Sequence, residues 1–157
     1  MSDSAEPLST QLQLRWADTD GYGHVNNVTW VRYLEETRIR LFGLPDRPGT
    51  AGAGAPPVFG AVFGPGCFTV TASNRVEYRR ELIYRGQAVR AEAWLSRIGA
   101  SSLDMSFRIT DEAHGETCLI AESTQAVRDT TTRTAHRFDQ REVAALRAYL
   151  APPNQFR

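Results

Sequence analysis

The sequence has no net charge, few cysteines and no long apolar run. Eighteen basic residues balance eighteen acidic ones, so no global field would attract nucleic acid or an anionic membrane, and neither is an expected partner. No apolar run approaches the length of a membrane span, and the first residues lack the charged and apolar regions of a signal peptide. We therefore expect a cytoplasmic protein whose anionic ligands are met by local charges.

The sequence also lacks the residue patterns that are typical of metal and nucleotide sites. Cys67 and Cys118 are far apart and have no histidine or cysteine at metal-ligand spacing, so we expect buried small residues and no zinc. The glycine-rich segment 45–66 does not follow the pattern GxxxxGK[ST] and does not connect a strand to a helix. We expect an activity that needs no metal or redox cofactor.

The length of 157 residues suits one domain, which we place at residues 8–150, with flexible ends at 1–7 and 151–157. Alternation of apolar and polar residues predicts a first strand from Leu8, with Leu12, Leu14 and Trp16 on one side. Segment 45–66 is predicted to be a long, mobile loop, in which Pro57 to Phe63 forms a lid or short strand. Further strands are predicted at Cys67 to Arg79, partly buried on both faces, and at Gln87 to Ile98, Ser102 to Thr110 and about Thr117 to Arg128.

Two helices complete the pattern. The first starts near Asn26 or Asn27, has an apolar face of Trp30, Leu34, Thr37 and Leu41 widened by Val31, Tyr33 and Phe42, and ends at Gly43. The second is a short terminal helix from Asp139 to Leu150. A strand, a long helix and then four sequential strands cannot form βαβ repeats. The expected class is therefore α+β, with a mostly antiparallel sheet of about five strands curled around one long helix.

The stretch from Arg15 to Gly43 carries the chemistry. Asp18 and Asp20 precede a run of turn formers and the start of the long helix. Free N–H groups at a helix start can hold an oxyanion while a nearby carboxylate acts as base or nucleophile. Aspartate before a helix is also an ordinary cap, so the residues alone leave both interpretations open.

The string ADTDGYGHVNNVTWVRYLEETR resembles the signature of the hotdog-fold acyl-CoA thioesterases related to 4-hydroxybenzoyl-CoA thioesterase. The resemblance implies a hotdog fold, hydrolysis of acyl-CoA to carboxylic acid and CoA, and Asp20 as catalytic base or nucleophile. It also implies a homodimer or tetramer with the site shared between protomers. HVNN, at His24 to Asn27, resembles the plant acyl-carrier-protein thioesterases, which have Asn where this chain has Tyr22.

Substrate-binding residues are expected in two places. Around Asp20 they are His24, Asn26, Asn27, Trp30 and Tyr78. At or beside a turn that resembles the family's Gly-x-Ser-Ser turn they are Arg97, Ser101 and Ser102. Trp30, Tyr78 and the loop Pro45 to Gly66 would shape the acyl pocket. Arginines near strand ends suit coenzyme A phosphates or simply increase solubility; these are Arg97, Arg128, Arg133 and Arg137. Glu35 or Glu36 is an alternative catalytic carboxylate, as in another branch of the superfamily, and His114 and His136 are expected at the surface.

Two other functions remain open at this point. One is hydrolysis of acyl groups carried by acyl carrier protein. The other is noncatalytic binding of acyl thioesters, in which Asp20 is only a cap.

Overall fold

The computed structural model describes residues 4–47 and 57–157. Within them, five strands form one antiparallel sheet in the order β1-β3-β4-β5-β2, so β1 and β2 are its edges. The strands are β1 (Leu8–Gln13), β2 (Cys67–Tyr78), β3 (Ala88–Ile98), β4 (Ser102–Asp111) and β5 (Glu116–Asp129).

Alternation along the strands puts one face of the sheet into the core. In β4 the buried set is Leu103, Met105, Phe107 and Ile109, and in β3 it is Val89, Ala91, Ala93 and Leu95. Successive side chains of a strand point to opposite faces, so each set lies on one side. Both sets match the predicted alternation, and Cys67 and Cys118 are buried free thiols.

The long helix α1 (Asn27–Phe42) packs its apolar face against β1 and β3. Asn26 caps it, because its Oδ1 accepts a hydrogen bond from the Val28 N–H at 2.9 Å. Gly43 ends it with a φ of 73°, which favours glycine. A sheet curled around one central helix is the hotdog arrangement, and the predicted α+β fold is confirmed. None of the described helices is long and apolar enough to cross a membrane.

Part of the glycine-rich segment is helical, which corrects the predicted lid or strand. Val58–Phe63 forms the short helix α2, and the Phe59 ring lies 5.2 Å from the Phe42 ring. Because Phe42 ends α1, this part of the segment lies at the far end of the helix from Asp20. Residues 48–56 of the predicted loop lie outside the described residues, so its mobility stays a prediction.

The chain end differs from the flexible tail that we expected. After α3 (Gln140–Arg147), which opens with a capping box of Asp139 and Glu142, residues 151–157 cross the sheet. The Trp94 Nε1–H donates to the Pro152 carbonyl at 2.8 Å. The Asn154 amide donates to the carbonyls of Phe107 and Ala121 at 2.9 and 3.1 Å. These hydrogen bonds hold the tail against the outer face of the sheet.

Three burial predictions were wrong. Trp16 is 77% exposed, because a short 3-10 helix at Trp16–Asp18 turns the chain away from the line of β1. The middle of β2 is exposed rather than partly buried on both faces, since β2 is an edge strand. His136 is half-buried, with its Nε2 2.9 Å from the buried Glu142 carboxylate.

Candidate active site

Asp20 lies in a tight loop that fixes one of its carboxylate oxygens. Its Oδ1 accepts hydrogen bonds from the backbone N–H groups of Tyr22 at 2.8 Å and His24 at 3.1 Å. Its own backbone N–H donates to the His24 carbonyl at 2.8 Å. Oδ2 receives no hydrogen bond from the residues that the structure describes. The carboxylate is therefore oriented by one oxygen, and the other is available for chemistry.

Asp18 anchors this loop to the long helix. Its Oδ2 accepts a hydrogen bond from the Tyr33 hydroxyl at 2.7 Å, and its carbonyl accepts one from the Asn26 N–H at 2.8 Å. Burial, followed by the hydrogen bond to the Asp18 carboxylate, raises the pKa of the Tyr33 hydroxyl well above its usual range. A protonated tyrosine thus holds the segment that carries Asp20.

The first turn of α1 offers free backbone donors beside this loop. The Asn26 side chain accepts a hydrogen bond from the Val28 N–H. Asn26 was predicted to bind substrate, but its side chain caps the helix instead. The N–H groups of Asn27 and Thr29 donate to no acceptor within residues 4–47 and 57–157. Free N–H groups at a helix start attract negative charge.

These elements border one cavity of about 340 Å³, here called the aspartate pocket. The Tyr78 hydroxyl lies 3.4 Å from the Asn27 carbonyl, and the His24 Nε2 lies 3.4 Å from a carboxylate oxygen of Glu81. Trp30 is buried, and its ring and the Tyr33 ring form a T-shaped pair. The lining residues are Asp20, His24, Val25, Asn27, Trp30, Tyr78, Arg79, Arg80, Glu81 and Leu82.

A larger groove of about 590 Å³, here called the helix groove, runs between α1 and strands β2 and β5. Asn27 lines both cavities, so the helix groove begins where the aspartate pocket ends. Its lining residues are Asn27, Val28, Val31, Arg32, Leu34, Glu35, Arg38, Thr71, Asn74, Phe107, Ser123 and Gln125. Val31, which we predicted on the core face, is 39% exposed along this groove.

Arg97, Ser101 and Ser102 lie at the opposite end of the sheet from Asp20. The chain enters β3 near the aspartate pocket and leaves it at Ile98, which places about 30 Å between the two ends. Arg97 is paired with Asp104, with 2.5 Å between its Nε and Oδ2. That hydrogen bond raises the pKa of Arg97 and lowers the pKa of Asp104. One protomer therefore does not bring these residues to Asp20.

The remaining candidates are also engaged elsewhere. Arg128 donates to the Arg133 carbonyl at 3.0 Å, and the Arg133 guanidinium lies 4.3 Å from the centre of the Phe68 ring. Both belong to the far end of the sheet, where Arg137 also follows β5. Glu36 pairs with Arg40 at 2.6 Å. Glu35 lines the helix groove rather than the aspartate pocket.

Sequence reasoning missed three residues. Tyr33 was assigned only to the apolar face, yet its hydroxyl contacts Asp18. Arg80 was not considered, although it is exposed at the aspartate pocket. Arg38 is buried in the helix groove. The sequence indicates this burial, because helical spacing places Arg38 on the same face of α1 as Leu34 and Leu41.

The arrangement can process a carbonyl compound. The free oxygen of Asp20 and the free N–H group of Asn27 line the same cavity. The carboxylate oxygen can activate a nucleophile, and the N–H group can stabilise an oxyanion. Among the described residues, no three His, Cys, Asp or Glu side chains are grouped so that they could hold a metal ion.

The fold and this pocket define a hotdog protein with a carboxylate beside the start of its central helix. A family model described as the thioesterase-like superfamily matches residues 14–152, and the chain belongs to that superfamily. Membership supports thioesterase activity in general.

Individual proteins are also similar to this chain. The chain is 28% identical to the uncharacterized protein YsmA of Bacillus subtilis (strain 168) over 113 residues. This match covers 69% of the chain and 64% of the length of YsmA. It is similar to the crystal structure of YbaW, a probable thioesterase from Escherichia coli, with a TM-score of 0.73 and 22% identity over 91% of this chain and 98% of that one. It is also similar to a predicted thioesterase from Bacillus stearothermophilus, with a TM-score of 0.75 and 23% identity over 95% and 100% of the two chains. At these identities the two solved structures establish the fold alone.

Proposed function

We propose that the protein hydrolyses acyl-CoA thioesters to the free carboxylic acid and CoA, without a metal or redox cofactor. The observation that carries the proposal is the pairing of a half-fixed carboxylate with free helix donors in one pocket. Asp20 has one oxygen held by two backbone amides and one oxygen free. A residue that served only as a turn former would not need a pocket with free N–H groups on its other side.

The chemistry follows from these groups. With Asp20 as general base, its free oxygen takes a proton from water, whose oxygen attacks the thioester carbon. The carbonyl oxygen becomes an oxyanion, which the Asn27 N–H stabilises. The C–S bond then breaks, the thiol leaves with a proton and the acid is released. With Asp20 as nucleophile, the carboxylate attacks the same carbon, the C–S bond breaks and the thiolate leaves and takes up a proton from solvent. Water then hydrolyses the resulting mixed anhydride, which releases the acid and restores the Asp20 carboxylate.

Coenzyme A is supported as the carrier by a cation at the mouth of the pocket. Arg80 lines the aspartate pocket and is exposed. Its neighbour Arg79 is paired with Glu77, whereas Arg80 forms no ion pair among the described residues. A guanidinium suits the phosphates of CoA.

A homodimer is part of the proposal. β2 is a long edge strand with an exposed centre, and such an edge calls for a pairing partner. If two copies paired antiparallel through β2, the far end of one sheet would lie beside the partner's aspartate pocket. This arrangement would bring Arg97, Ser101 and Ser102 of one copy towards Asp20 of the other, as a shared site requires. Light scattering after gel filtration should give a mass of at least two chains, and a strictly monomeric active protein would contradict it.

A panel of aliphatic and aromatic acyl-CoAs tests the function, with thiol release as the readout. One acyl chain should also be presented on acyl carrier protein. Faster release from CoA than from the carrier protein supports the proposal. Thiol release only from the carrier protein would identify acyl carrier protein, rather than CoA, as the acyl carrier. Tight acyl-CoA binding without any turnover would identify a binding protein.

A further inference from the structure

The helix groove contains a buried cation with few partners. Arg38 is only 6% exposed and lines the groove. Its Nη1 donates one long hydrogen bond, 3.3 Å, to the Thr69 hydroxyl. Its Nη2 lies 4.0 Å from the carboxylate of Glu35, whose side chain is 64% exposed. A guanidinium has five N–H donors, so most donors of Arg38 have no acceptor among the described residues.

A buried charge in this state needs acceptors from elsewhere. Burial lowers the pKa of Arg38, and the Glu35 carboxylate opposes this effect. The guanidinium nevertheless stays charged in a protein, and its unpaired donors face the groove, where water or an anion can accept hydrogen bonds from them. An anion that entered the groove would supply the missing acceptors.

The floor of the groove near β2 and β5 is polar as well. Ser123 and Gln125 are almost fully buried. The Gln125 amide donates to the Ser123 hydroxyl at 2.7 Å and to the Thr71 hydroxyl at 3.1 Å. The Ser123 hydroxyl accepts this hydrogen bond and has no acceptor for its own proton among the described residues, so the proton is available to a ligand. A plain alkyl chain would leave these groups facing hydrocarbon, which is unfavourable.

The order of groups along the groove fits a chain with two functional ends. Asn27, at the mouth, adjoins the aspartate pocket, and Val31 and Leu34 follow along the same side of α1. Arg38 comes three turns after Asn27, at about 16 Å along the axis. Because helical side chains generally lean back towards the helix start, the span from Asn27 to the guanidinium is about 10–16 Å, the reach of roughly eight to twelve acyl carbons.

We propose that the helix groove selects acyl thioesters that carry a second carboxylate at the far end of the acyl chain, and that Arg38 binds this carboxylate. The inference rests on the proposed function, because it assigns the acyl group of the thioester that Asp20 would cleave. A guanidinium binds a carboxylate through two parallel hydrogen bonds.

Suberoyl-CoA and octanoyl-CoA test the proposal, because the acyl chains have equal length and differ in the terminal carboxylate. The ratio of their kcat/KM values should fall by about 10-fold to 100-fold in Arg38→Met, the range for losing hydrogen bonds to a charged group. Methionine is suitable because apolar replacement of a buried ion usually preserves the fold. Arg38→Lys keeps the charge but not the planar fork, so it should give an intermediate ratio. Arg147→Met, on the exposed side of α3, is the matched control and should leave the ratio unchanged.

Binding of free suberate separates this proposal from the proposed function. Suberate should raise the melting temperature of the unaltered protein and have no such effect on Arg38→Met. If no acyl-CoA were hydrolysed but this difference remained, the proposed function would fail and the carboxylate site would stand. Equal ratios and equal melting shifts in both proteins would overturn the carboxylate site. A switch from dimer to monomer in Arg38→Met, with the ratio unchanged, would also overturn it, because Arg38 would then pair with a second copy.

Discussion

The hydrogen bond from the Tyr33 hydroxyl to the Asp18 carboxylate is the contact through which α1 holds the loop that carries Asp20. Tyr33→Phe removes the hydroxyl and keeps the buried ring. The O–O distance is 2.7 Å, and such charge-assisted bonds contribute about 1.5–3 kcal/mol to folding. Asp18 is only half-buried, so water replaces part of the lost bond, and we expect a loss of about 1.5 kcal/mol. For a chain of this size the melting temperature should fall by about 3–6 °C.

The pH dependence of stability gives a second test of the Tyr33 hydroxyl, whose pKa is raised first by burial and then by the hydrogen bond to Asp18. The pKa of Tyr33 is raised in the folded state above its ordinary value of 10.0. A raised pKa contributes stability that is fully present below pH 10.0 and is lost as the pH rises above it, because the unfolded state ionises first. The parent protein should therefore lose stability more steeply above pH 10.0 than Tyr33→Phe does.

Urea unfolding at pH 7 and at increasing alkaline pH measures both effects. A double-mutant cycle with Asp18→Asn isolates the pair, and the two changes together should cost less than their sum. The reasoning would be refuted if Tyr33→Phe unfolded like the parent at neutral pH and showed the same alkaline slope.

Two further predictions concern the C-terminal region. Asp139→Ala removes the cap of α3 and should lower the melting temperature by about 2–4 °C, because such caps contribute about 1 kcal/mol; an unchanged thermal melt by circular dichroism would argue against the capping box. Asn154→Leu should cost about 2 kcal/mol in urea unfolding, since it removes the two hydrogen bonds that the Asn154 amide donates to the carbonyls of Phe107 and Ala121; a loss below a few tenths of a kcal/mol would mean that the tail contributes little to stability.

The sheet and the central helix were predictable because they follow from periodicity. The apolar residues of β3 and β4 alternate, and Asn26 and Gly43 are strong signals for the two ends of α1. The tail was not predictable, because Asn154 and Pro152 bind groups on strands distant in sequence. Nothing local in the segment 151–157 indicates which carbonyls of the sheet need a donor.

In the candidate site, too, local residues were predictable and contacts between distant segments were not. Asp20, His24, Asn27, Trp30 and Tyr78 line one pocket, and all but Tyr78 belong to a single continuous stretch of sequence. Pairs across the fold were harder to predict. The partner of Tyr33 depends on how the loop returns to the helix, and the burial of Arg38 depends on β2 covering that side of α1.

The position of Arg97 shows what strand order adds. A resemblance in sequence places the Gly99 turn in the same site as Asp20, whereas the register of β3 with β4 carries that turn to the opposite end of the sheet. The proposed dimer would reconcile these positions. That dimer uses β2 as an edge strand, and the alternation of β2 does not distinguish an edge strand from a central one.

The most direct test of the catalytic assignment is thiol release by Asp20→Asn. Asparagine keeps the oxygen that accepts from the Tyr22 and His24 amides, so this variant should melt close to the parent and still bind acyl-CoA. Loss of the base or nucleophile should reduce kcat at least about 100-fold, whereas Asp18→Asn, which leaves the Asp20 carboxylate in place, should have a much milder effect on kcat. Near-normal turnover by Asp20→Asn, or a loss that only followed unfolding, would contradict the assignment and move the search for the base to His24.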